Sequence, residues 1–180
     1  AIGYQAMTTN TAGGVNNLAL GNYALDALTS GDANIAIGYD AGSSINTGSA
    51  NTTVGVYSLD ATTSGDSNTA LGYFALSANT TASSNTGIGR SALGDNTTGA
   101  NNVAVGALAL QVNTTGAQNV AVGKDALKAN TTAADNTAVG YQSQLATTTG
   151  TNNTSLGMGS LRTITTESGN TAIGTASQYI

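Results

Sequence analysis

The chain has 180 residues, of which 7% are charged and 4% aromatic, and it contains no cysteine, histidine, proline or tryptophan. Four lysines and arginines against nine acids give a net charge of −5, which argues against nucleic acid as a partner because no basic surface can form. No apolar run is long enough to span a bilayer. A hydrophobic fraction of 39% separates the chain from the highly charged, weakly hydrophobic compositions typical of disorder.

A 17-residue repeat fills the whole sequence. The glycine of an A-[ILV]-G phrase first recurs after 18 residues and then every 17 residues, because the first repeat carries one extra residue in its polar corner. The consensus is A-[ILV]-G-Y-x-A-L-x-x-N-T-T-G-x-x-N-[TV], and we number its positions 1 to 17, with this glycine at position 3. We therefore predict one continuous array over residues 1–180, about ten coils long, with no domain boundary.

The repeat, followed in chain order, predicts one coil of a parallel β-solenoid. Side chains point alternately to the two faces of the strand from position 16 to position 2. The aliphatic residues at positions 17 and 2 therefore share one face, and the asparagine at position 16 and the alanine at position 1 share the other. The glycine then bends the chain into a second short strand with leucine at position 7, and N-T-T-G closes the coil as a polar corner. A coil made of a strand and a helical turn is the alternative.

Self-association is expected from the same pattern. With the aliphatic residues of positions 17, 2 and 7 pointing inward, each coil buries few large side chains. The alanines and glycines at positions 1, 3 and 6 would leave a small-residue face for another chain. We therefore expect a homotrimer or a filament.

The phrase N-[TV]-A-[IV]-G resembles the head repeats of the YadA-like trimeric autotransporter adhesins and the repeats of phage and bacterial tail fibres. It is carried by residues 34–38, 102–106, 119–123, 136–140 and 170–174. The resemblance implies a β-roll packed as a homotrimer. It also implies an extracellular or cell-surface location, or the virion surface for a tail fibre, with a carbohydrate or another host-surface group as ligand.

Candidate catalytic groups are few. Without histidine or cysteine, a metal site would need oxygen ligands alone, and the nine acids do not recur at one coil position. The glycines form no phosphate-binding loop. We predict a protein that is not an enzyme and has no cofactor.

An asparagine stands at position 16 of every coil. We predict that this column is a structural ladder of amides bonded from coil to coil, and a repeated carbohydrate contact is the alternative reading. Its members are Asn17, Asn34, Asn51, Asn68, Asn85, Asn102, Asn119, Asn136, Asn153 and Asn170.

Two other columns are candidates for a glycan or ligand surface. Tyrosines at position 4, with Tyr23, Tyr57 and Phe74 beside them at position 5, could stack on sugar rings or merely cover coil edges. Asparagines at position 10 stand in N-x-[ST] sequons, which could mark a glycan-bearing edge. The candidates are Tyr4, Tyr39, Tyr73, Tyr141, Asn79, Asn96, Asn113 and Asn130.

The function predicted from these patterns is an extracellular structural or adhesive fibre. A phage tail-fibre shaft or receptor-binding segment is the first alternative. An ice-binding solenoid is the second, through the Thr-Thr pairs at positions 11 and 12 (residues 80–81, 97–98, 114–115 and 131–132). Since the last repeat matches the core phrase and stops after nine residues, we also expect the array to continue past Ile180.

Overall fold

The computed structural model describes residues 1–10 and 12–178 and shows a β-solenoid. Ten strands, all parallel and ordered as in the sequence, form one sheet. This confirms the predicted all-β parallel solenoid; the expected continuation past Ile180 lies outside the described residues. The strands β1 to β10 are Leu18–Leu20, Ile35–Ile37, Thr52–Val54, Thr69–Leu71, Thr86–Ile88, Val103–Val105, Val120–Val122, Thr137–Val139, Thr154–Leu156 and Thr171–Ile173.

Neighbouring strands pair with a shift of one repeat. Val103 lies opposite Val120, and Val105 lies opposite Val122, so each residue stacks on the same position of the next coil. With a strand spacing of about 4.8 Å, ten strands make a sheet roughly 45 Å long. In the described residues no helix is long or apolar enough to cross a membrane.

The predicted second strand is absent from the described coils. Positions 5, 7 and 15 carry left-handed backbone in almost every coil, including Leu108 at φ 63°, Leu110 at φ 50° and Gln118 at φ 59°. A strand cannot contain alternating left-handed residues. Hydrogen bonds between coils nevertheless continue through this turn segment, from Leu108 N to Arg90 O at 3.0 Å and from Leu110 N to Ala126 O at 3.0 Å.

The glycine at position 3 is required by both conformation and space. Gly106 has φ 135°, a region closed to other residues, and a Cβ added to it would lie 2.6 Å from the backbone carbon and oxygen of Gly123. The column therefore fixes the bend at which the strand ends and lets successive coils stack at backbone distance.

The core runs along the axis and contains the leucines of position 7, as predicted. Leu110 and its equivalents are fully buried. Alanines at positions 1 and 6, such as Ala104 and Ala109, are equally buried. The expected small-residue face for a partner chain is therefore wrong, because the alanines line the interior and the aliphatic residues of positions 17 and 2 point outward.

The narrow width of the coil explains why alanine lies inside. Gly87 replaces alanine at position 1 of one coil, and a Cβ added there would lie 3.0 Å from Ala92 O and 3.2 Å from Leu76 Cγ. The strand and the turn segment are thus separated by little more than one methyl group. In this coil a valine or isoleucine would not fit on the inner face, and the larger side chains take the outer face. The β-branched Thr53 is fully buried at position 1 of coil 4, where Gly42 of the preceding coil leaves room for it.

Coil 3, which begins at Ala36, departs from the consensus in two core positions at once. Gly42 replaces the leucine of position 7, and Ile45 replaces the asparagine of position 10 and is fully buried. A Cβ on Gly42 would lie 2.9 Å from Ile45 Cδ1. The isoleucine therefore occupies space that a leucine side chain at position 42 would need in this coil.

Candidate functional site

The asparagines of position 16 form a hydrogen-bonded ladder through the rod. Asn102 Oδ1 accepts a bond of 3.0 Å from the backbone N–H of Asn119, and Asn102 Nδ2 donates to Gly116 O at 2.8 Å. The same two bonds recur along the column, and its central members are fully buried. A buried amide with these partners holds adjacent coils together and offers no surface to a sugar.

The asparagines of position 10 form a second buried ladder, which the sequence analysis missed. Asn96 Nδ2 donates to Asn79 Oδ1 at 3.0 Å, and Asn113 Nδ2 donates to Asn96 Oδ1 at 2.8 Å. The series ends at Asn130, whose Oδ1 is buried without a hydrogen-bond partner, because Thr147 follows it. The recurrence of asparagine at a second fixed position was the signal for this ladder.

The burial of this ladder shows that the predicted glycan-bearing edge at position 10 is wrong. The amide nitrogen is the atom to which an N-linked glycan would be attached, and in all four sequons it is inside the coil. The folded rod has no room for a glycan on the fully buried residues Asn79, Asn96, Asn113 and Asn130.

The threonine pairs lie at a corner, and their two members differ. Position-11 hydroxyls are half-buried and donate to the carbonyl of the next coil, as Thr97 Oγ1 does to Thr114 O at 2.9 Å. Position-12 threonines such as Thr98 are exposed. The corner therefore exposes only one column of threonine hydroxyls, those of position 12, that are free to bond to water.

Six aromatic side chains form a continuous column along coils 1 to 5. Successive ring centroids are 4.4 to 5.7 Å apart, mostly in edge-to-face contact, a geometry that stabilises aromatic pairs. The column combines predicted residues of position 4 with those of position 5: Tyr4, Tyr23, Tyr39, Tyr57, Tyr73 and Phe74. The rings at position 4 are 41 to 65% exposed, so a ligand can reach them.

Tyr141 lies apart from this column, in coil 9. The Lys124 ammonium is 5.7 Å from its ring centroid, within the range of a cation–π contact. On its other side, Tyr141 borders a shallow hollow of about 210 Å³ that is also lined by Met158 and Arg162. Gly159, which has no side chain at position 5, contributes to this hollow.

Three carboxylates accompany the aromatic column. Burial raises the pKa of Asp60 to about 6, and repulsion from Asp40 adds to the effect. Burial also raises the pKa of Asp26, again with repulsion from Asp40. These acids therefore lie close enough to repel one another, although the described residues contain no cluster of acids that could hold one metal ion.

The outer face of the sheet is an uncharged strip, which we call the aliphatic ribbon. It consists of the side chains at positions 17 and 2 of β1 to β10, together with Ile2. Position 2 is isoleucine, leucine or valine in every coil, and position 17 is one of these residues or threonine. Leu71 and Leu156 of the ribbon are 45% and 49% exposed.

The three carboxylates beside the aromatic column lie near tyrosines, and within the described residues no serine or threonine hydroxyl is hydrogen-bonded to a carboxylate that could activate it. The arrangement instead suits contact with other molecules along the rod. No protein-family model, curated protein or solved structure matches this chain.

Proposed function

We propose that this chain is the rod of an extracellular structural or adhesive fibre, assembled as a homotrimer through its aliphatic ribbon. The observation that carries the proposal is an aliphatic column on the outer face that is half-buried to exposed and unbroken over the whole sheet. Parallel sheets in proteins are almost always covered on both faces. One face of this sheet is covered by the alanines and leucines of the coil, and the other bears the ribbon.

A second and a third copy of the chain are the occupants that fit the ribbon. A contiguous apolar patch of this length is unusual on a monomer and typical of an interface. Its side chains recur at the coil spacing, so those of one rod can interdigitate with the identical series on another. Lys, Arg, Asp and Glu never occur at its positions, so three ribbons can meet on an axis without burying a charge.

The rod would act by presenting repeated surfaces to its surroundings. Stacked coils with glycine bends and two asparagine ladders form a stiff scaffold, and the tyrosine column, at positions 4 and 5, is not part of the ribbon. An adhesive fibre needs such a scaffold with ligand-facing side chains, and it needs no catalytic group.

Light scattering after size-exclusion chromatography tests the assembly. We expect about three times the chain mass of 17.5 kDa for the native protein. Val122→Glu places a charge in the ribbon and should give a folded monomer, whereas Thr132→Glu on the exposed corner should leave the trimer intact. Circular dichroism checks that both variants fold.

A native chain that stays monomeric at high concentration would overturn the proposal. If that monomer also showed thermal hysteresis, the ice-binding alternative would be supported, because the ribbon or the threonine corner would then face water. Equal masses for the native protein and Val122→Glu would show that any association uses another surface.

A further inference from the structure

Charge is distributed unequally between the two halves of the rod. Coils 1 to 5, residues 1–86, contain five aspartates and no lysine or arginine, whereas residues 87–180 contain four acids and four basic residues. Six of the eight aromatic residues also lie in the first five coils. The aromatic column is therefore on the anionic half.

Two of the five aspartates in this half accept hydrogen bonds from backbone N–H groups of the preceding coil. Asp32 accepts a bond from the backbone N–H of Val15 at 2.7 Å, and Asp66 accepts one from Ser49 at 2.7 Å. The carboxylates of Asp26, Asp40 and Asp60 form no ion pair within the described residues. These three, with Tyr23, Tyr39 and Tyr57, make up what we call the tyrosine–carboxylate face.

Coil 8 shows how a carboxylate at position 5 binds ammonium groups. Asp125 stands at position 5, as Asp40 does in coil 3. Its carboxylate lies 3.7 Å from the Lys124 ammonium and 3.6 Å from the Lys128 ammonium. Lys124 is also 5.7 Å from the ring centroid of Tyr141, so this rod already holds an alkylammonium group between a carboxylate and a tyrosine.

Coil 3 has a carboxylate at the same position but no lysine, and its tyrosines stand elsewhere: Val56 takes the place of Tyr141, and Tyr57 follows it at position 5 of the next coil. Ser43 stands where Lys128 stands in coil 8, and Tyr39 stands where Lys124 stands. Asp26 and Asp60, in the coils below and above, add two further negative charges that repel Asp40. A cation supplied from outside would remove this repulsion and would lie against the rings.

We propose that the tyrosine–carboxylate face of coils 2 to 4 binds a linear organic polyammonium ion, with its alkyl chain along the tyrosines. Each ammonium group would contact one of the carboxylates of Asp26, Asp40 and Asp60, because these acids are spread over three coils, about 10 Å along the axis. That spread disfavours a single metal ion. Unpaired carboxylates favour an ammonium ligand over the neutral sugar expected from tyrosines alone.

Spermidine is the probe, and the readout is the set of backbone amide shifts of the ¹⁵N-labelled full chain at constant ionic strength. We expect saturable shifts confined to coils 2 to 4. Asp40→Asn should weaken binding about three- to fivefold, as expected for an ion pair at the protein surface. Asp135→Asn makes the same charge change on an exposed residue of the other half and should have no effect.

Ser43→Lys gives the sharpest test, because it supplies the missing ammonium at the position of Lys128. It should abolish the spermidine shifts, while Ser43→Gln, similar in length but neutral, should preserve them. Equal effects of these two variants would overturn the proposal. So would equal effects of Asp40→Asn and Asp135→Asn, equally strong shifts with magnesium chloride, or a neutral disaccharide that shifts the same amides more strongly.

The proposal requires the folded rod and not its assembly. Its variants lie outside the aliphatic ribbon, and Val122→Glu should bind spermidine as the native chain does. A failed trimer and a failed polyammonium site can therefore be told apart.

Discussion

The paired exchange in coil 3 permits a double-mutant cycle that tests the core directly. Gly42→Leu and Ile45→Asn each restore one consensus residue, and together they restore both. Leucine is compatible with the backbone at this position, because Gly42 has φ 58° and the equivalent Leu25 and Leu59 have φ 53° and 54°. The expected cost of each single change therefore comes from packing.

The two single variants should fail for opposite reasons. Gly42→Leu brings a Cβ to 2.9 Å from Ile45 Cδ1 and 3.2 Å from Thr53 Cγ2, and overpacking of this kind costs about 1–3 kcal/mol. Ile45→Asn removes a fully buried side chain and leaves a cavity, at a cost of about 3 kcal/mol. In the double variant the leucine fills the cavity, so the coupling energy should be about 2 kcal/mol in favour of the pair.

Urea unfolding followed by circular dichroism gives the four free energies of unfolding for the cycle. Leu110→Gly combined with Ile45→Asn serves as the control, because these sites are four coils apart and their effects should add. Additive effects of Gly42→Leu and Ile45→Asn would refute the shared core space deduced for coil 3. A stabilising single Gly42→Leu would refute it as well.

Three further predictions use other positions. Leu110→Ala should lower the free energy of unfolding by roughly 2–5 kcal/mol, whereas the neighbouring Gln111→Ala should change it little; equal losses would contradict the observed register. Gly106→Ala should cost roughly 3 kcal/mol or more, because its backbone region excludes alanine and the added Cβ meets Gly123 at 2.6 Å. Gly94→Ala should cost much less, since its backbone is not left-handed and the nearest atom to an added Cβ is Ser91 O at 3.3 Å. Folding raises the pKa of Asp60 from 3.8 to about 6, so the folded state favours the neutral carboxyl. The free energy of unfolding should therefore fall as the pH rises from about 4 to above 6. Asp60→Asn should remove this part of the pH dependence and stabilise the protein at pH 7, as measured by thermal unfolding at pH 4 and pH 7.

The sequence by itself determined the repeat, the register and the inward leucine. An invariant glycine at the same position of every coil forces the same bend in each. Because the repeat length is constant, each residue lies beside the same position of the next coil, which determines the register. The asparagine at position 16 indicated a ladder for the same reason, since one side chain repeated through all coils serves a contact that all coils share. These features depend on periodicity, which a sequence displays directly.

Only the tertiary structure decided which side of each strand faces the interior. Alternation in a three-residue strand identifies two faces, and here both are apolar: alanine on one, and valine, isoleucine, leucine or threonine on the other. The choice depends on the distance between the strand and the turn segment, which at Gly87 would bring even a methyl carbon to 3.0 Å from Ala92 O. The turn segment has left-handed backbone at positions 5 and 7. Leucine and tyrosine rarely adopt this conformation, so their presence in the sequence did not predict it.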